Sequence, residues 1–406
     1  MNKVYGISKE EKKIVIYQAN SGETFDFYAE NGEGVMTREQ FHDIKSKPIT
    51  STHLLVRYDK RIRDSSLKDQ YEDFIRTADK LKELTDGKIN MYKTGSYAKT
   101  ALKLFYDMGA PVPDQLETYE NEILRKCKTG GIIYGQEYEG KGYKYDVVSQ
   151  YPGAMRNQVM KYPIKKGNLK TMTKEEFDKL EYFTFGIYHV KITSTIDKRL
   201  FTENEENWYT HIDLNHEKIE LGYDLKLIEV DDNWLDYTGC LMNGSKLFRP
   251  FVDYLYKFKK EGHKEVKLIL NSLWGALCQK NILTFNINTE EKHELFEVNS
   301  VIQISPMGKG SWASQKLLSV NKIATQSKYY DNDFARISPF LTAKCRKDIS
   351  FMVKFNLKNV VRIYIDGLIL KKKIKDVELK DEIGFLKLEQ KYDHLKINNA
   401  RDVKYS

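Results

Sequence analysis

The chain has 406 residues, 41% hydrophobic and 12% aromatic, which excludes a disordered chain and allows two or three domains with a sizeable core. Lysine and arginine number 66 against 58 aspartates and glutamates, a net charge of +8 that permits a polyanionic partner without requiring one. Cys127, Cys240, Cys278 and Cys345 are scattered, with no CxxC and no zinc-like Cys/His spacing, so a disulfide framework and a zinc finger are excluded and free thiols are expected.

The N-terminal MNKVYGISKEEKK lacks a signal-peptide apolar core, and no run approaches the ~20 apolar residues of a membrane span, so a soluble, cytoplasmic protein with no membrane partner is expected. Residues 1–65 alternate strand-like runs (KKIVIYQ, ETFDFYA, THLLVRYD) with polar turns. Residues 66–110 predict helices, with Tyr71, Phe74, Ile75, Ala78 and Leu81 at helical spacing and a second segment AKTALKLFYDMG. Pro111 and Pro113 break the chain. Between 130 and 240 lie strand candidates GGIIYG, YKYDVV, TFGIYHVKI and DLKLIEV. His211 and His216 in HIDLNH sit among strand-like residues and read as surface histidines. RPFVDYLYKFKK predicts a helix leading into another at about 263–280. Residues 283–333 read as an inserted hairpin-rich segment. A helix follows over 337–355, then VVRIYIDGLIL, the charged connection KKKIKDVELKDE and a strand-rich tail.

Three stations carry chemistry. In YKYDVVSQYPGAM, Asp146 lies inside an apolar strand, where a carboxylate is costly unless paired or bound to metal; taken alone, a salt-bridged strand-end residue explains it equally well. In KEVKLILNSLWGALCQK, Val266, Ile269, Leu270, Leu273 and Leu277 form one apolar stripe at 100° per residue. Lys264, Lys267, Asn271, Trp274 and Cys278 take another face, with Lys260 if the helix reaches back that far. A cationic row beside an aromatic suits a triphosphate and a base, although a solvated lysine face is the commoner meaning of such a row. Gly275 inside the helix costs about 1 kcal/mol relative to alanine and hints at a close approach. In VVRIYIDGLIL, the Asp366-Gly367 pair among β-branched residues ordinarily marks a hairpin turn; the competing reading presents the Asp366 carboxylate at a hairpin tip to a metal.

The order strand-Asp, basic helix, strand-Asp resembles motifs A, B and C of family B DNA polymerases. The family's D-x-x-S-L-Y-P is met by Asp146, Ser149, Gln150, Tyr151 and Pro152, with Gln for Leu. Its K-x-x-x-N-S-x-Y-G is met by Lys267, Asn271, Ser272, Trp274 and Gly275, with Trp for Tyr. Lys128, Thr129, Gly130 and Gly131 resemble the Y-x-G-G template loop of the protein-primed viral and linear-plasmid branch, with Lys for Tyr. IGFLKLE at 383–389, ending in Glu389, resembles a palm segment of that branch. Lys404 and Tyr405 resemble the family's K-x-Y primer-strand motif with altered spacing.

The resemblance implies an α+β right-hand palm, an antiparallel sheet with helices, plus helical fingers and a small N-terminal α/β module. The implied division is 1–65 in place of the exonuclease, 66–125 a helical connector, 126–245 palm, 246–282 fingers, 283–333 an insertion that encloses a strand, and 334–406 palm. It implies template-directed addition of dNTPs to a primer 3′-hydroxyl by two magnesium ions, with manganese as a substitute, held by Asp146, Asp366 and the Val147 carbonyl. Tyr151, Lys264, Lys267, Asn271 and Trp274 would bind the nucleotide; Gly130, Gly131, Ser272, Gly275, Lys404 and Tyr405 would face the template-primer DNA.

Motif C in the family is Y-x-D-T-D-S, and one aspartate stands here. With Tyr364 on the family Tyr, Asp366 is the first Asp and Leu368 replaces the second. Alternatively Asp366 is the second Asp and Tyr364 occupies the place of the first; this register is preferred, because Leu cannot bind magnesium. No Asp-x-Glu occurs in residues 1–125 and the chain stops soon after motif C. No 3′–5′ exonuclease is therefore expected, with a terminal protein or a thumb-supplying subunit as candidate partners. The rival reading is a catalytically inactive, polymerase-like replisome subunit that binds nucleic acid; a reverse transcriptase would carry Y-x-D-D and lack the motif B helix.

Overall fold

The computed structural model describes residues 9–19, 24–47, 50–57, 65–280, 282–287, 301–306, 318–323 and 329–405. The chain forms two compact units, Met1–Pro111 with Phe248–Ala276, and Val112–Leu247 with Leu277–Ser406.

The first unit carries a four-stranded sheet in the order β3-β2-β1-β4, from β1 (Lys13–Ala19), β2 (Thr24–Ala29), β3 (Gly32–Thr37) and β4 (His53–Arg57). β4 runs parallel to β1, and such a pairing needs a crossover. The Arg38–Ser46 helix supplies it, started by a capping box between Thr37 and Gln40 and anchored by buried Phe41, whose ring stacks 4.0 Å from Phe25. β3 and this helix are absent from the sequence expectation, because GEGVMT is glycine-rich and the helix buries a single residue. The Leu67–Leu84 and Tyr97–Asp107 helices fall where periodicity places them, with Phe74, Ala78 and Leu81 buried.

The Gly244–Lys260 and Lys264–Leu277 helices are separate. The chain turns between them at Gly262, φ +94°, so Lys260 ends the earlier helix and does not extend the lysine face. Cys278 lies beyond the second helix and is buried, which corrects its placement on the exposed side.

The second unit is built on a six-stranded antiparallel sheet, ordered β10-β9-β6-β8-β7-β5. Its strands are β5 (Ile133–Gly135), β6 (Tyr138–Val147), β7 (Val360–Tyr364), β8 (Gly367–Leu370), β9 (Leu386–Ile397) and β10 (Val403–Tyr405). Side chains alternate across a strand, so Tyr145 and Val147 turn into a core with Ile363, Leu368 and Leu386 while Asp146 takes the other face. Ile349 and Val353 of the Ser338–Val353 helix close that core.

A second sheet in this unit pairs Trp208–Thr210, Gly186–Ile192, Trp234–Asp236 and Asn168–Lys170 in that order, with Leu225–Leu227 also on Gly186–Ile192. HIDLNH is not strand-like. A Thr210–Asp213 capping box starts a helix over His211–Asn215 that continues as a π-helix over His216–Leu221. Nor is His216 a surface residue: it is 2% exposed, with Nε2 2.8 Å from Ser350 Oγ. The backbone of Ile282–Ile287, Val301–Pro306 and Leu318–Ile323 forms a three-stranded antiparallel sheet; most of the rest of the 283–333 insertion lies outside the described residues. The α+β class stands, and among the described residues no helix is long and apolar enough to cross a membrane.

Candidate active site

Asp146 and Asp366 meet at one end of the six-stranded sheet. Asp146 pairs in register with Gly367, and the Val147 N–H donates to the Asp366 carbonyl at 3.0 Å. Both aspartates are partly exposed. Tyr364 pairs with Gly367, so the two-residue hairpin loop is Ile365-Asp366 and not Asp366-Gly367. Leu368 is fully buried in the core beneath, while Gly367 is the residue that faces Asp146 across the ladder.

Both aspartates sit beside strained backbone. Ile365 has φ +61° and Ser149 φ +49°, left-handed values that a β-branched residue in particular avoids. Neighbours hold Ile365 there. Its N–H donates to the Ile132 carbonyl at 3.0 Å, and a Cβ on Gly131 would come within 3.2–3.4 Å of its Cγ2, Cα and Cβ atoms. Gly131 therefore serves close packing against the hairpin tip. Gly130, by contrast, is exposed, and a Cβ there would meet nothing within 4 Å.

The loop containing both glycines is fixed by a residue the motifs do not include. Arg346 is buried in the Ser338–Val353 helix and donates to the Thr129 carbonyl at 2.8 Å and the Gly130 carbonyl at 2.9 Å. The rest of its guanidinium grips buried Asp213 at 2.8 and 3.0 Å. The one available signal is an arginine in a charged stretch, KCRKD, flanked by the apolar-rich FLTA and ISFMV. Next to Asp213, Glu217 is also fully buried and its two carboxylate oxygens have no hydrogen-bond partner. Burial first, and then the Asp213 charge, raises its pKa well above the ordinary value, with Arg346 offsetting part of the rise.

After β6 the chain turns at Ser149 into the short Gln150–Met155 helix. Gly153 in that helix lies so close to Gly384 that a Cβ would sit 2.9 Å from its Cα, and the Gly384 N–H donates to the Val148 carbonyl at 2.7 Å. The 383–389 segment thus braces the turn carrying Tyr151. Tyr151 is partly buried, and that burial, aided by Cys345 and Asp366, keeps its phenol protonated well above the usual range.

On the Asp146 face of the sheet, Lys387 pairs in register with Asp146 and its Nζ lies 3.3 Å from Asp381. Lys144, two residues before Asp146, bonds Glu389 at 2.7 Å, which raises the lysine pKa. Its ammonium also lies 6.0 Å from the Tyr405 ring centroid, and Tyr405 stacks on Tyr392 at 4.6 Å. Lys404 pairs with Lys396 on the β10 edge.

The motif B residues belong to the other unit. On the Lys264–Leu277 helix the apolar stripe from Val266 to Leu277 is buried; Lys264, Lys267, Asn271 and Gly275 are exposed, and Ser272 and Trp274 are half-buried. The Ser272 hydroxyl donates back to the Leu268 carbonyl at 2.6 Å. A Cβ on Gly275 would meet nothing within 4 Å, so close packing among the described residues does not account for the glycine.

Two partly exposed carboxylates, one on β6 and one in the adjacent β7–β8 hairpin loop, are hard oxygen donors, which suit magnesium or manganese that keep part of their water. Among the described residues no group of three His, Cys, Asp or Glu gathers, so a metal caged wholly by protein does not fit.

Residues 3–343 match the family model "DNA polymerase type B, organellar and viral". A probable DNA polymerase of Neurospora intermedia is 27% identical over 307 residues, 68% of this chain and 29% of that one. A probable DNA polymerase of Agaricus bitorquis is 26% identical over 321 residues, 67% of this chain and 38% of that one. The chain thus spans roughly a third of the length of these curated relatives. Among solved structures, Phi29 DNA polymerase complexed with primer-template DNA and incoming nucleotide substrates is similar in fold, with a TM-score of 0.58 at 17% identity over 98% of this chain and 73% of that one. With a family match running through most of its length, this chain belongs to the organellar and viral family of type B DNA polymerases.

Proposed function

We propose that this chain catalyses template-directed addition of deoxynucleotides to a primer 3′-hydroxyl, using two divalent cations at Asp146 and Asp366 with the Val147 carbonyl as a further ligand. The observation that carries the reading is the backbone adjacency of two partly exposed aspartates at one end of the six-stranded sheet. Bound there, magnesium or manganese would favour ionisation of the primer hydroxyl and offset charge on the departing pyrophosphate. Lys264 and Lys267 neutralise the triphosphate, and Asn271 and Trp274 border the base pair. Tyr151 remains a neutral phenol beneath the sugar and excludes a 2′-hydroxyl by bulk. Gly130 presents bare backbone to template phosphates, while Gly131 holds the hairpin tip; Ser272, Gly275, Lys404 and Tyr405 contact the primer-template. Residues 1–125 contain no Asp-x-Glu pair, so no 3′–5′ exonuclease activity is assigned to them. A terminal protein or a thumb-supplying subunit remains a candidate partner.

The second reading is an inactive, DNA-binding polymerase relative, favoured by the single motif C aspartate and the buried Leu368 in its neighbourhood. Primer extension with magnesium separates the two. Extension by the wild type that stops on chelation, and stops in both Asp146→Ala and Asp366→Ala, supports the enzyme. DNA binding with no extension on any primer supports the rival.

A further inference from the structure

The charged connection KKKIK, residues 371–375, has no part in the site above. It lies at the far end of the β7–β8 hairpin from Asp366: Val360 pairs with Leu370 there, roughly 13 Å of strand from the tip. Three segments of the second unit converge at that end. Asn356 and Lys375 exchange two hydrogen bonds, at 3.0 and 3.1 Å, and the Lys371 N–H donates to the Asn359 carbonyl at 2.8 Å. Arg199 donates to the Leu357 carbonyl at 3.0 Å.

Residues 195–200, 351–359 and 371–377 hold eight lysines and arginines against two aspartates, an excess of six in a chain whose net charge is +8. Asp197 is already paired with Arg199, and Glu220, which borders the patch, with Lys354. Lys198, Lys358, Lys372, Lys373 and Lys375 are exposed and make no ion pair among the described residues. The 351–359 segment also carries two large exposed rings, Phe351 at 49% and Phe355 at 66%, with the Lys354 ammonium 4.7 and 5.1 Å from their centroids. Leaving both rings exposed is costly, and the excess of cations in the segments that carry and adjoin them makes an apolar protein partner a poor match. Flat faces in a region where several exposed lysines make no ion pair match a chain of bases and phosphates.

We infer that the Phe351–Phe355 face, with Lys358, Lys372 and Lys373, binds single-stranded nucleic acid outside the active site. Bases stack on the two rings and the lysines neutralise the phosphates. The inference rests on this surface and not on the Asp146–Asp366 chemistry.

The test uses the full chain in EDTA without nucleotide, and a 12-residue oligodeoxythymidylate carrying 5-iododeoxyuridine. Photocrosslinking mapped by mass spectrometry is expected to place adducts on Phe351 or Phe355, including in Asp146→Ala/Asp366→Ala. Phe351→Ala/Phe355→Ala is expected to weaken binding about tenfold or more. Lys358→Gln/Lys372→Gln/Lys373→Gln is expected to reduce the slope of log affinity against log salt by about 2. Circular dichroism and thermal midpoints confirm that both variants fold. Adducts elsewhere, with affinity and salt slope unchanged in both variants, overturn the inference. So does a face that sediments with phosphatidylserine vesicles, or retains a protein, while ignoring the oligonucleotide. Patch-dependent crosslinking in a chain that extends no primer would leave this inference standing and remove the polymerase reading alone.

Discussion

The second unit holds two pairs of neighbouring acids that sequence chemistry alone would treat alike, Asp146 with Asp366 and Asp213 with Glu217. The first pair sits partly exposed at a sheet end; the second is buried, with Arg346 clamped on Asp213 and the Glu217 pKa pushed well above the ordinary carboxylate range. A hydrated divalent cation requires such exposure, which the buried second pair lacks. Burial and an internal counter-charge, not the count of carboxylates, separate a candidate metal site from a structural one.

Exchanging carboxylate for amide at each place breaks or sharpens that contrast. Asp146→Asn or Asp366→Asn is expected to lower the primer-extension rate by more than about 100-fold, beyond the ~10–100-fold typical of losing an outer-shell partner of a metal site. Their stability should stay within about 0.5 kcal/mol of wild type. Equal thermal loss in these variants would erase the distinction.

Arg346→Met should do the reverse and cost about 3–5 kcal/mol in urea unfolding, because it strands the buried Asp213 charge. Adding Asp213→Asn should recover much of that loss, a coupling that a double-mutant cycle reads directly. Activity should remain depressed in the double variant, since nothing then holds the Thr129 and Gly130 carbonyls.

Gly131→Ala is a smaller perturbation aimed at the boundary between the two places. Its Cβ must move Ile365 by a few tenths of an ångström, and with it the hairpin tip. Displacement of a reacting group by about 1 Å can cost about 100-fold, so a drop in kcat of up to about tenfold is expected, with KM for primer-template nearly constant.

Glu217→Gln gives the smallest effect, and its sign depends on pH. The folded pKa is raised, so the unfolded chain loses the proton first. Any stability linked to the protonated carboxyl is present below about pH 4.5 and drains away as pH rises toward the folded value. Glutamine cannot ionise, so the variant should gain thermal midpoint relative to wild type between pH 5 and 7. His216 works in the opposite direction: burial lowers its pKa to about 4, so stability falls as pH drops from about 6.5 toward 4. His216→Asn should flatten that acid limb.

Much of the first place is legible in the sequence. A lone aspartate inside an apolar strand demands a partner, and the 100° periodicity of residues 264–277 separates its buried stripe from its lysine face, as found. Long-range packing is not legible. Arg346 meets Thr129, Gly130 and Asp213 across 217, 216 and 133 residues of chain, and no local pattern announces those contacts. HIDLNH misleads because Ile212 and Leu214 alternate like a strand, although Thr210 and Asp213 already mark a helix start. The Asp-Gly pair misleads by one residue, since Ile365 takes the left-handed turn position that glycine ordinarily fills.

Anomalous diffraction from crystals of the chain grown with primer-template, a non-hydrolysable dNTP and manganese tests the central claim most directly. Manganese peaks in the coordination shells of both Asp146 and Asp366 are the expected result. Peaks at neither aspartate, or cations held at one while the other turns away, would contradict it.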